Sequence, residues 1–247
     1  MIREETDIKG LSARLNAQPF SNVYALSALA GYPASGGFYA AYSAGPGTLV
    51  LCGGAAYPYL PAGADAAEAA QFLRLRGVRS AVGDARTVRA LAAHLPGSRL
   101  AECSLLILRG AVRPGPQTAR LCGRAEQPQV YALLRACFDG LPGFQEYMDA
   151  KDQQRYYLGG RTAVCEQDGR IAASGSILCA TDRAALLGAL ACAPQYRGRG
   201  CARAVVHALC LAAEGRTPCL LAEPDRLGLS ARLGFHSGCA MAQLIME

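Results

Sequence analysis

Tryptophan is absent from this chain, histidine occurs three times, and lysine occurs only at Lys9 and Lys151. No apolar run reaches the roughly 18–20 residues that a bilayer-spanning helix needs, which excludes a helical membrane protein as an expectation. Residues Met1–Gly10 carry Arg, Glu, Asp and Lys without an apolar stretch, so they do not read as a secretory signal, and a cytoplasmic location is expected. The eleven cysteines include no C-x-x-C pair, and no metal site is expected from them. Most stand inside apolar runs such as Leu49–Cys52 and Ala189–Cys192, where cysteine behaves as a small buried hydrophobe. Basic stretches interleaved with stacking aromatics are also missing, which leaves a nucleic-acid partner with only the net charge to support it.

What is present is ordinary for a globular protein. Of the 247 residues, 51% are hydrophobic and 18% charged, enough to build one large core or two modest ones. The formal charge of +6 comes from 23 arginines and two lysines against 19 acidic residues, a balance that suits a polyanionic ligand. The turn-rich stretch Gly110–Gln117 separates two patterned regions, giving expected domains at 1–113 and 114–247. In the first, the pattern predicts a helix over 11–30 and strands at Gly37–Tyr42, Thr48–Cys52 and Ala55–Leu60. A helix at Asp65–Arg76, a strand at Val78–Val82, a helix at Asp84–His94 and a strand at Leu100–Leu108 follow.

In the second region a strand at Thr118–Cys122 leads to helices at Ala125–Phe138 and Phe144–Tyr156. Strands Arg161–Glu166 and Arg170–Leu178 flank Asp168-Gly169, a hairpin signal, and Ala184–Cys192 is apolar enough for a central strand. A helix at Cys201–Glu214 is expected to bury Ala202, Val205, Val206 and Leu209. A strand at Cys219–Glu223, a short helix near Asp225–Leu233 and one or two strands over Phe235–Met246 close the chain.

Between the apolar strand and the next helix runs Ala193-Pro194-Gln195-Tyr196-Arg197-Gly198-Arg199-Gly200-Cys201-Ala202. A glycine-rich turn at a helix N-terminus presents unpaired N–H groups and the positive end of the helix dipole, a geometry that receives phosphate. The lysine and spacing of a Walker loop are missing. The dinucleotide G-x-G-x-x-G pattern fails at Arg203. An Arg-Gly repeat that binds RNA is longer than this one and disordered. In isolation the loop reads as a phosphate site or as a tight surface turn.

Its surroundings decide between them. The run resembles the coenzyme A-binding motif of the GNAT superfamily, [Q/R]-x-x-G-x-[G/A], matched by Arg197, Gly200 and Ala202. The hairpin followed by Ile171-Ala172-Ala173-Ser174-Gly175 is similar to that family's second and third strands. Leu229-Ser230-Ala231-Arg232-Leu233-Gly234-Phe235 is similar to its L-Y-x-[K/R]-x-G-F segment. The three landmarks cover residues 118–247. The resemblance implies an α/β fold with a mixed central sheet flanked by helices, preceded by a second α/β domain that itself reads as a degenerate copy. No R-x-x-G-x-G equivalent occurs in 1–117, so a second coenzyme A site is not expected.

The resemblance further implies an acetyl-CoA-dependent N-acetyltransferase acting directly on a primary amine of a small molecule or peptide. Leu190, Ala191 and Cys192 would line the pantetheine arm, and Arg197, Gly198, Arg199, Gly200, Cys201 and Ala202 would hold the pyrophosphate. The family's tyrosine acid corresponds here to Ser230, and Glu223 stands at a strand end where a carboxylate with a burial-raised pKa could act as base. His236 is a lesser candidate base, and His207 reads as an exposed helix residue. Glu146, Asp149 and Asp152 form an acidic cluster that either draws a cationic amine or is a solvated face. The serine and the missing base leave a second reading open, a non-catalytic acyl-CoA-binding or sensor protein. A homodimer built on the first domain is a further expectation.

Overall fold

A computed structural model describes residues 1–31, 39–223 and 227–246. The chain forms two compact units, one of Met1–Leu106, Leu221–Leu227 and Ser237–Glu247, the other of Ile107–Leu220 and Gly228–His236. Where the sequence reading divides the chain once, these units interleave near its end.

In the first unit, β1 (Ile2–Glu4) precedes α1 (Ile8–Leu15) and α2 (Val23–Gly31). The single helix expected over 11–30 is therefore two. Pro19 lacks an N–H and would clash with the preceding turn, so one helix cannot run through it. Asn22 consolidates the break by donating from Nδ2 to the Leu15 carbonyl at 3.0 Å. Strands β2 (Tyr39–Ala44), β3 (Gly47–Cys52) and β4 (Ala55–Tyr59) form an antiparallel meander. Gly37 and Phe38, placed in the first of these by the sequence reading, lie outside the described residues.

Next come α3 (Ala66–Leu75), β5 (Ser80–Asp84), α4 (Ala85–Ala92) and β6 (Arg99–Leu108). Asp65 caps α3 by accepting from the Glu68 N–H, and Asp84 caps α4 by accepting from Arg86 and Thr87. The two helices pack Ala69, Ala70, Leu73, Val88 and Leu91 onto Leu49, Leu51, Ala56 and Ala81 of the sheet.

The second unit opens with β7 (Arg120–Leu121), α5 (Gln127–Cys137) and α6 (Phe144–Tyr157). Strands β8 (Arg161–Gln167), β9 (Arg170–Ala180) and β10 (Ala184–Cys192) follow, then α7 (Cys201–Ala212), β11 (Thr217–Ala222) and α8 (Leu227–Arg232). Within this unit the strands lie in the order β11-β10-β9-β8-β7. The β8–β9 turn holds Asp168 at φ 53 and Gly169 at φ 70, as a two-residue turn with both residues left-handed requires. Helix α7 buries Cys201, Ala204, Val205, Val206 and Leu209. Ala204 thus takes the core place expected of Ala202, which stays half-buried.

One long strand, β12 (Phe235–Ile245), ends the described chain. Phe235 and His236 belong to the second unit, whereas Ser237 onward belongs to the first. There β12 pairs antiparallel with β5 from Met241↔Asp84 to Ile245↔Ser80. Ala242 and Leu244 are fully buried in the first unit's core.

Candidate active site

Strand β10 holds two neighbours along its first half, then loses its pairing with β11 and interrupts its pairing with β9. It pairs in parallel with β11 from Ala184↔Thr217 to Leu187↔Leu220, where that register ends. Its antiparallel pairing with β9 shifts between Gly188 and Ala191, and Ala189 lies there at φ +50. A β-bulge of this kind bends a strand and re-aims its groups. Gly188, Ala189 and Leu190 are half-buried, whereas Ala184–Leu187 are buried. The Leu190 side chain turns toward α7: a Cβ built on Gly175 would stand 2.5 Å from Leu190 Cδ2 and 2.9 Å from Val205 Cγ1. Beyond the bulge, Ala191 and Cys192 resume pairing with Ser174 and Ala173.

Past the end of β10, Pro194–Tyr196 make one 3-10 turn and the chain enters α7 through Arg197, Gly198, Arg199 and Gly200. Gly198 and Gly200 have φ +78 and +88, left-handed values that a side chain would strain. Among the described residues, the backbone N–H groups of Gly198 through Arg203 find no acceptor within the protein. Those of the first helical turn are the unpaired donors every α-helix leaves at its start. Arg197 donates from Nε to the Cys192 carbonyl at 3.3 Å, tying loop to strand end. The Arg199 guanidinium stands 5.5 Å from the centre of the buried Tyr196 ring. Tyr196 in turn donates to Asp168 at 3.4 Å.

The turn-rich stretch read as a linker supplies one wall of this loop. A Cβ on Gly200 would stand 3.3 Å from Pro116 Cδ, and one on Gly115 would stand 3.3 Å from Arg203 Cδ. Nothing in the composition of Gly110–Gln117 signals this contact, because it is made across more than eighty residues of chain.

The two expected catalytic residues fall in different units. Glu223 is exposed at the end of β11, without the burial that a raised pKa would need, and after burial itself it helps hold the Cys103 thiol above its ordinary range. Ser230 is 7% exposed within α8. His236 is exposed and His207 half-buried. Of the acidic cluster, Asp152 is taken up by Arg124 in a two-pronged ion pair at 2.9–3.1 Å, and Asp149 accepts from Gln145. All eleven cysteines are free thiols, and burial pushes those of Cys165 and Cys192 upward, as suits packing residues.

Sequence reasoning assigned no role to Lys151. Its ammonium donates to Ser176 Oγ at 2.8 Å and to Gln154 Oε1 at 3.2 Å, and lies 5.7 Å from the centre of the Tyr147 ring. Ser176 also shares a hydrogen bond with Thr162 at 3.0 Å. Among the described residues no carboxylate pairs with Lys151. Desolvation lowers its pKa to about 8, opposed only by nearby Cys122. In a chain that otherwise uses arginine, which cannot shed its proton, a lysine here is a chemical distinction.

This lysine has a measurable consequence. Its folded pKa lies below the unfolded value of roughly 10.4. The unfolded chain therefore binds more protons between those values, and the cost of burying the cation is relieved as pH rises. Thiols raised by burial act in the opposite sense in the same range, so the lysine is isolated by difference. Denaturant titrations should show the stability of wild type minus that of Lys151→Met climbing between pH 8 and pH 10. A flat difference would mean the ammonium is solvated.

A strand that parts from its parallel neighbour near a bulge then delivers the chain to a helix start with free N–H groups, a geometry suited to an anion. Residues 158–237 match the acetyltransferase (GNAT) domain model, and this part of the chain is similar to a class of domain that transfers acyl groups from acyl-CoA.

Solved structures extend the likeness of fold to most of the chain. A GNAT-family protein from Novosphingobium aromaticivorans superposes with a TM-score of 0.62 at 20% identity, over 92% of this chain and 97% of its own. A GCN5-related N-acetyltransferase from Kribbella flavida gives 0.62 at 15% identity, over 92% and 95%. An acetyltransferase of the family from Colwellia psychrerythraea gives 0.57 at 12% identity, over the whole of both chains. No curated protein matches in sequence. No described helix is long and apolar enough to cross a membrane, and the described residues hold no group of three or more His, Cys, Asp or Glu that could bind a metal.

Proposed function

We propose that the protein transfers the acetyl group of acetyl-CoA directly to a primary amine. The observation that carries this reading is the run of free N–H groups from Gly198 to Arg203 set just beyond the bulged end of β10. Six donors at a helix start, with Arg197 and Arg199 beside them, fit a pyrophosphate. The half-buried edge at Gly188–Leu190, leading to Ala191 and Cys192, fits an amide-bearing arm laid along a strand.

Acetyl-CoA would supply an acyl group already activated as a thioester. The protein's own part is then to hold that group beside the amine, since fixing two reactants in one geometry accounts for much of such a rate. The amine must be neutral to attack and loses a proton as it does so, while the departing sulfur gains one. Within the second unit, Ser230 is the protein hydroxyl assigned to the sulfur side.

The exposure of Glu223 and the short reach of Ser230 favour one alternative, a protein that binds acyl-CoA without turning it over. Calorimetric titration with acetyl-CoA, followed by a thiol-release assay across a broad amine panel, separates the two. Binding with turnover establishes the transferase, and binding alone establishes the sensor. No binding by the folded protein removes both.

A further inference from the structure

A cavity of about 450 Å³ in the second unit is lined by residues before and after the 3-10 turn at Arg124–Glu126, by the last turns of α6 and by the start of β8. That volume is in the range of small-molecule sites. Lys151 and Thr162 form its floor, and Arg124, Asp152, Arg155 and Arg161 stand around it. Asp152 is neutralised by Arg124, leaving Lys151, Arg155 and Arg161 with no carboxylate within 4 Å among the described residues. The Arg161 side chain donates to the Gly160 carbonyl at 2.9 Å. The cavity's cations Arg124, Lys151, Arg155 and Arg161 outnumber its one carboxylate, Asp152, which is paired with Arg124 and feels the charge of Arg155, so an anionic group is the complementary occupant.

The cavity is also in register with the bulge. Gly175 faces α7, so the alternating side chains of Ser174 and Ser176 face the opposite side of the sheet, toward α6. Thr162, Ser176 and Gly188 are successive partners across β8, β9 and β10, one rung of the sheet. Gly188 is the first residue after the last β10–β11 pair, Leu187↔Leu220. The Ser176 backbone is therefore one strand spacing, about 5 Å, from Gly188, and the Lys151 ammonium is hydrogen-bonded to the Ser176 hydroxyl on the α6 side of the sheet.

We infer that this cavity is the acceptor subsite and that the acceptor amine carries a carboxylate or phosphate, received by Lys151 with Arg155 and Arg161. The inference rests on the transferase reading and names its substrate class. Lys151 acts as a specificity residue: two of its protons are engaged by Ser176 and Gln154, and the third is available to the ligand. The groups facing it are Tyr147 and Gln154 from its own helix, Ser176 from β9 and Cys122 from the segment after β7, none of them an anion at neutral pH.

The test uses probe pairs that differ only in charge. Amino acids of increasing amine-to-carboxylate spacing are compared with their carboxamides, and aminoalkyl phosphates with the parent amino alcohols. Binding is followed by calorimetry without acetyl-CoA, and KM is measured with it. In wild type the anionic member of at least one pair should bind roughly tenfold or more tightly, the scale of a charge-assisted hydrogen bond. The preferred pair tells carboxylate from phosphate. Lys151→Met should bring the ratio close to one with acetyl-CoA affinity unchanged, and Lys151→Arg should retain part of the preference. Should Lys151→Met fold poorly, Arg155→Gln with Arg161→Gln removes two rim charges and should lower the ratio in the same direction.

Acetyl-CoA binding with no preference for any anionic probe, or a preference that survives Lys151→Met, overturns the inference and leaves the transferase standing. Failure to bind acetyl-CoA overturns the transferase reading, while probe binding lost on Lys151→Met would still identify an anion site.

Discussion

Gly200→Trp is expected to weaken acetyl-CoA binding by ~100-fold or more, equivalent to about 2.7 kcal/mol, in a protein that still folds. Gly200 sits at φ +88 as the residue before α7, where an L side chain costs about 1–2 kcal/mol of backbone strain. Its Cβ would emerge 3.3 Å from Pro116 Cδ, so an indole would be turned out over the N–H groups of Gly198–Arg203. Bulk and strain are separable. Gly200→Ala brings the same left-handed strain with a single methyl group and should keep affinity within about tenfold. Calorimetry on both variants, with thermal denaturation to confirm folding, reads the difference. Wild-type affinity in Gly200→Trp would mean that the loop is a surface turn and that the pyrophosphate lies elsewhere.

The second large effect is expected three residues from the end of the chain. Leu244→Ala should destabilise the protein by roughly 2–5 kcal/mol, the cost of emptying a fully buried leucine site. Leu244 is 0% exposed, pairs with Ala81 across β12 and β5, and belongs to the core formed with Leu49, Leu73, Val88 and Leu91. Hydrogen exchange should show Ser80–Asp84 losing protection first, although they lie some 160 residues away in sequence. An effect within ±0.5 kcal/mol, the ordinary range for a surface position, would mean that β12 is not part of this core.

Legibility in the sequence followed the range of the interactions involved. The β8–β9 hairpin was readable because Asp168-Gly169 encodes its own turn, and the α3 and α4 starts because Asp65 and Asp84 bond amides two or three residues away. The backbone of the loop at Arg197–Ala202 was readable for the same reason: glycines at the two left-handed positions and a helix beginning at Cys201 are properties of six consecutive residues. The break in the first helix was equally local, set by Pro19, and a stricter weighting of proline would have found it.

Length, charge and spacing thus determined an α/β chain, a glycine-rich loop at Arg197–Ala202 leading into a helix, and the family that such a loop resembles. What only the tertiary structure decided was every feature made by strands meeting across long stretches of chain. It ended the β10–β11 pairing at Leu187, laid Pro116 against Gly200 and carried β12 into the first unit's core. It also set Lys151 against the rung shared by Thr162, Ser176 and Gly188, where one of only two lysines in an arginine-rich sequence becomes a desolvated cation beside a cavity. The physical reason is one of range. Dihedral preference and capping act over a few residues and can be read in order, whereas register and burial depend on which distant segments share a sheet.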